Sequence, residues 1–277
     1  IRLVLGRHAA ASVEAVGADI IVNRGLIPDT GKGAGFTLPM RSVTLTDSKI
    51  RLLGRPVDGL PDTFSTISLS RVYLEEEGGG FVYGAEGALK DGPSFDLSGG
   101  FSADMKEASV KGGVKGFDIA PFKPRLTQMC ACSPPDGVID ARFSLNYAAP
   151  AIDLTVEEFS FAAQGFSIKG GLNFSGNKDL AGRFKAEVSS TPIPFKDLKD
   201  ALPIRLMPDG LASAIKALDP VGGAITIEGL SATGVLERGG KGGLSVREGP
   251  MAVTATLDKL RFRYARLLRE VSELSGR

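Results

Sequence analysis

The chain has no tryptophan, one histidine and two cysteines among its 277 residues, and no apolar run long enough to cross a membrane. Each shortage excludes something. His8, set among alanines, has no convincing serine or cysteine partner, so it reads as a surface histidine rather than a general base. A structural metal site needs about four donors, and Cys130 and Cys132 have only the distant His8 to join them, so no metal is expected. The two cysteines, one residue apart beside Pro134 and Pro135, read as small thiols in a proline-rich turn, with a disulfide the alternative in an oxidising compartment. Ile1 to Leu5 falls far short of the about 20 apolar residues of a transmembrane helix. No secretory leader is legible, and a chain that begins at Ile1 reads as an excerpt whose targeting segment would lie upstream.

Neither sign of charge is in excess. Thirty-three Lys and Arg against 32 Asp and Glu leave +1, which excludes an acidic solvating tail and bulk attraction to a polyanion. The basic residues are dispersed and lack interleaved aromatics, so nucleic acid is not expected as a partner. The nucleophile elbow, the P-loop and the dinucleotide fingerprint are all missing. Gly31-Lys32-Gly33-Ala34-Gly35 comes nearest, but no helix pattern follows it, and it reads as a loop. Glu75-Glu76-Glu77 reads as a solvated hairpin tip. Glu157-Glu158 reads as a bulge with both carboxylates in water rather than a catalytic pair. Asn173-Phe174-Ser175 fits a glycosylation sequon but lies inside a strand pattern. No catalytic residue and no cofactor are assigned.

What the chain does have is glycine, 36 residues, about twice the usual share of ~7%. It also has apolar and polar residues in alternation, as in Val43, Leu45, Ile50 and Leu52, or Ile67, Leu69 and Tyr73, the period of a half-buried strand. From Ile152, Leu154 and Val156 the phase shifts to Phe159, Phe161 and Ala163 and returns at Phe166 and Ile168, which implies turns or bulges between short strands. Gly78-Gly79-Gly80, Gly99-Gly100, Gly112-Gly113, Gly170-Gly171, Gly222-Gly223 and Gly239-Gly240 suit tight turns in a long antiparallel meander.

Helical spacing appears at Phe195, Leu198, Ala201 and Leu202, at Leu211, Ala214, Ile215 and Leu218, and at Tyr264, Leu267, Leu268, Val271 and Leu274. The first two, bracketed by prolines, read as short helices inserted at about 195–218, and the third as an amphipathic C-terminal helix. An internal repeat is also legible: Phe95-Asp96-Leu97-Ser98-Gly99-Gly100-Phe101 is echoed 71 residues later by Phe166-Ser167-Ile168-Lys169-Gly170-Gly171-Leu172, and Pro121-Phe122-Lys123 73 residues later by Pro194-Phe195-Lys196. Repeat units at about 95–123 and 166–196 point to stacked architecture. The expected fold is mainly β: one elongated, curled antiparallel sheet over 1–277 with an open groove. Its apolar floor would suit an acyl chain, although a filled core gives the same alternation.

Three stretches resemble the AsmA-like proteins of Gram-negative bacteria, which group with TamB-like and bridge-like lipid-transfer proteins. One runs from Leu38-Pro39-Met40-Arg41-Ser42-Val43 to Ile50-Arg51-Leu52. A second runs from Leu206-Met207-Pro208-Asp209-Gly210-Leu211 to Gly222-Gly223-Ala224-Ile225-Thr226-Ile227. The third is the set of Gly-Gly-Phe, Gly-Phe-Asp-Ile and Pro-Phe-Lys strings. The resemblance implies a periplasmic β-groove, tethered to the inner membrane by an upstream helix, that conducts phospholipid towards the outer membrane and works with other envelope proteins. It carries no active-site residues. Alternation alone nominates Val43, Leu45, Ile67, Leu69, Ile152, Leu154, Phe159, Phe161, Phe166 and Ile168 as groove-lining. The competing expectation is a structural or adhesive β scaffold with a filled core and no ligand.

Overall fold

The computed structural model describes residues 12–23, 41–53, 66–89, 92–130, 132–177, 181–202, 204, 207, 209–238, 244–264 and 270–277. They divide into two compact units, Ile1–Phe117 with Arg142–Ile152, and Asp118–Ala141 with Asp153–Arg277. The first holds β1 (Ser12–Val16), β2 (Asp19–Asn23), β3 (Ser42–Leu53), β4 (Thr66–Glu77), β5 (Gly80–Leu89), β6 (Ser94–Ser102) and nearly all of β7 (Glu107–Asp118). β8 (Gly137–Ala148) spans the division. The second holds α1 (Lys123–Cys130), most of β9 (Ala151–Ala163), β10 (Phe166–Asn177), β11 (Gly182–Ser190), β12 (Ile193–Pro194), α2 (Phe195–Ala201), α3 (Asp209–Lys216), β13 (Leu218–Arg238), β14 (Leu244–Tyr264) and β15 (Glu270–Gly276). The protein is therefore mainly β. Among the described residues fifteen strands hydrogen-bond into one open sheet, in the order β1, then β3 to β11 in sequence, then β13, β14 and β15. β2 pairs with β3 and β12 with β13 off this path.

In the first unit the alternation of each strand comes into phase with its neighbours. Val43 of β3 stands opposite Leu74, Tyr83, Gly99 and Val110 in succession, and Leu45 opposite Val72, Ala85, Leu97 and Gly112. Side chains of a strand point alternately to the two faces, so these rows make one face apolar. The other face carries rows such as Thr46, Arg71, Glu86 and Asp96. β1 and β2 both run parallel to β3, and the jog between them is pinned by Ser48, whose side-chain oxygen accepts from Ala18 N–H and donates to Thr46 C=O.

The second unit repeats the scheme. Leu172 of β10 stands opposite Ala186, Ala232 and Met251, and Phe174 opposite Phe184, while Asn173 faces Lys185 and Thr233 on the other side. Ile193 beside α2, Ala212 of α3 and Leu260 of β14 are buried. The helices inserted at about 195–218 are present as α2 and α3.

Three expectations are corrected. In place of the expected C-terminal helix, Tyr264 ends β14 and Glu270–Gly276 is β15, pairing antiparallel with β14 from Arg263 to Leu257, while Leu267 and Leu268 lie outside the described residues. Leu274 is exposed, and the edge of β14 offers hydrogen bonds that override the helical spacing at Val271 and Leu274. The paired glycines are mostly not turns. Gly78 and Gly79, at φ +58° and +82°, do make the β4–β5 hairpin, but Gly99-Gly100, Gly112-Gly113, Gly170-Gly171 and Gly222-Gly223 lie inside strands. The third correction concerns β9, which runs unbroken through its change of phase, taken up at the exposed pair Glu157 and Glu158. α1 was not foreseen; it follows Pro121-Phe122 as α2 follows Pro194. His8, Gly31–Gly35 and Gly239-Gly240 lie outside the described residues.

Candidate functional site

The nominated residues fall on both units. Val43, Leu45, Ile67 and Leu69 share the apolar face of the first unit, Val43 opposite Leu74, Leu45 opposite Val72 and Ile67 opposite Ile50. Leu69 is fully buried and the other three are half-buried, as is Ile152. In the second unit Phe161 and Phe166 are buried and meet edge to face at 6.2 Å between ring centres across the β9–β10 turn. Leu154, Phe159 and Ile168 are half-buried.

Strand alternation missed several residues of the same faces because glycines interrupt their hydrophobic rows. Phe81 and Phe101 stack with ring centres 5.2 Å apart, and Tyr83 lies 6.3 Å from Phe101. A Cβ on Gly112 would lie 2.5 Å from Leu97 Cδ2, and one on Gly87 would lie 3.0 Å from Phe95 Cζ. These glycines are seats over which a neighbour's side chain lies flat, which keeps the apolar surface continuous and low. Tyr83 O–H donates to Ser109 C=O at 3.2 Å, so its one polar group is satisfied within the protein, and burial pushes the phenol above its ordinary pKa.

How much of this surface is withdrawn from water decides what it can do. Among the described residues nine hydrophobic side chains are buried: Leu69, Phe81, Ile119, Phe161, Phe166, Phe174, Ile193, Ala212 and Leu260. Val43, Leu45, Val72, Leu74, Leu97 and Val110 in the first unit, and Leu172, Phe184, Leu230 and Ala232 in the second, are only half-buried. A filled core would cover positions of this kind.

The opposite face is polar. In the second unit it carries a cavity of about 780 Å³ whose walls include Lys169, Asn173, Lys185, Glu187, Ser231 and Thr254. Lys185 Nζ pairs with Glu187 at 2.8 Å and holds that carboxyl below its ordinary pKa. Glu157 and Glu158 are both exposed. On the first unit's polar face Arg51 engages both oxygens of Asp19, and the Nε contact is 2.9 Å. At the β6–β7 turn Lys106 and Ser102 hold the Asp104 carboxyl down at about 2.

Cys132 is disulfide-bonded, which overturns the reading of two small thiols. The sequence spacing had allowed either state. No protein-family model, curated protein or solved structure matches the chain.

Proposed function

We propose that the protein binds acyl-chain lipid on the apolar face of its sheet, as a segment of a groove-like envelope protein that conducts phospholipid. One observation carries the reading: rows of aliphatic and aromatic side chains continue from strand to strand, yet most keep part of their surface in contact with water. An apolar face left partly open over several neighbouring strands is a surface that a partner can cover. An acyl chain asks for unbroken hydrophobic wall and almost no hydrogen bonds, and this face offers that. Burying one methylene is worth about 0.8 kcal/mol, so ten methylenes half-covered by the sheet contribute on the order of 4 kcal/mol. Head groups would stay in water, and movement along the face would need no catalytic group. The disulfide at Cys132 fits an oxidising compartment such as the periplasm, and the likeness to AsmA-like proteins points to the same place.

The test is lipid extraction and mass spectrometry of the purified protein, beside Val43→Asp and Leu154→Asp variants whose folding is checked by circular dichroism. Phospholipid should accompany the parent protein and fall about tenfold in the variants, the equivalent of ~1.4 kcal/mol. A folded parent protein that carries and takes up no lipid would sink the reading in favour of the filled scaffold.

A further inference from the structure

The geometry points to α2 as a lid that closes the apolar face of the second unit and must lift for an acyl chain to run its full length. This rests on the lipid-binding reading and adds a moving part to it. The apolar face does not stop where the open positions Leu230 and Ala232 stop. Along β13 and β14 it continues through Ile225, Leu257, Leu260 and Phe262, with a shift of register at each of several bulges. Over that continuation sits α2: Phe195 meets Phe262 edge to face at 6.0 Å between ring centres.

The way α2 is held distinguishes it from the rest of the covered end. None of its own side chains is fully buried. It is attached by the Phe195–Phe262 contact, by the Lys199 ammonium donating to Leu218 C=O, and by Ser133 N–H donating to Asp200 C=O at 2.6 Å. Two residues before it stands the opposite case. Ile193, 1% exposed, is locked into the sheet opposite Ile225. Extended backbone brackets the helix, with ψ of 131° at Pro194 and 132° at Leu202. A short segment with no buried side chain, set between a fixed anchor and an extended exit, is a part of a fold that opens at low cost. Beside its C-terminal end a cavity of about 470 Å³, walled by Thr127, Cys132, Ser133, Lys199, Ile204 and Ile215 among others, gives the helix end room to move. The Ser133 contact adjoins the disulfide at Cys132, which ties this stretch covalently beside the helix end.

The experiment joins α2 to β14 in the full chain. A Phe195→Cys/Phe262→Cys variant is closed with a short bismaleimide, and uptake of a pyrene-labelled phosphatidylcholine from phosphatidylcholine vesicles is followed in linked and unlinked protein. Linked protein should take up the probe about tenfold more slowly, and Phe195→Ala should take it up faster than the parent. Equal uptake by linked and unlinked protein overturns the lid and leaves lipid binding standing. No uptake by the parent protein overturns both. Amide hydrogen exchange gives a second reading: α2 should exchange well before Ile225–Ile227 in the unliganded protein, and equal protection would make α2 a fixed cap.

Discussion

Phe95 of β6 lies over Gly87 of β5, its direct cross-strand partner, so that an aromatic ring occupies the space a side chain at Gly87 would need. The same Gly87 position also faces Ser68 C=O of β4, a backbone atom that cannot give way. Gly87→Ala should therefore destabilise the protein by about 1–3 kcal/mol, the usual cost of overpacking, read as a lower urea midpoint with unchanged slope. An alanine placed at Gly229, where a Cβ would meet nothing within 4 Å, is the control and should be nearly silent.

Fold and function should separate by site. Ile193 is almost wholly enclosed, and Ile193→Ala should cost about 3 kcal/mol through the cavity it leaves. Leu45, half-buried on the open apolar face, should cost under about 1.5 kcal/mol on truncation and instead show itself as weaker lipid uptake. Equal losses of stability at the two positions would mean that the face around Leu45 is a filled core.

The Asp104 carboxyl, held down to about 2 by Lys106 and Ser102, is below its ordinary value of 3.8. A depressed acid stabilises the folded form above its unfolded pKa and ceases to do so as the pH falls through the folded one. The contribution of the β6–β7 turn should thus be complete above about pH 4 and vanish near pH 2. Carbon-13 NMR titration of Asp104 checks this, and Lys106→Ala should move the midpoint up toward the ordinary value.

Cysteine spacing sets a limit on what the disulfide does for stability. The sequence's other cysteine is two residues from Cys132, and a loop that short constrains the unfolded chain little, so Cys132→Ser should cost no more than about 1.5 kcal/mol. Thermal melts of parent and variant without reductant measure the difference. A larger loss would assign the bond a part in holding Ser133 against Asp200.

Alternation made the β character and many of the facing positions legible, because a residue that must be apolar on one side of a strand leaves a period of two. Val43, Leu45, Ile67 and Leu69 were found this way. Phe81, Leu97 and Phe101 were not nominated, since the glycines among them read as turns; only the neighbouring strand shows that Gly99 and Gly112 accept the side chains of Tyr83 and Leu97. The C-terminal helix failed for a related reason. Val271 and Leu274 keep helical spacing with Tyr264, but the strand edge of β14 settles Glu270–Gly276 by pairing, and no local pattern announces that edge. Lid-like α2 was visible as a helix, whereas its loose seating depends on burial that sequence does not encode locally.

The parallel pairing of β1 and β2 with β3 has a mechanical side. A pull on the chain's start along the strand direction loads the rungs from Ser12 to Val16 and from Asp19 to Asn23 side by side, in shear, with Ser48 tying the two groups at their middle. The antiparallel hairpins that follow, β3 with β4 and β4 with β5, open from one end and give up their rungs singly. Tension along that direction meets a clasp first and a zipper after it.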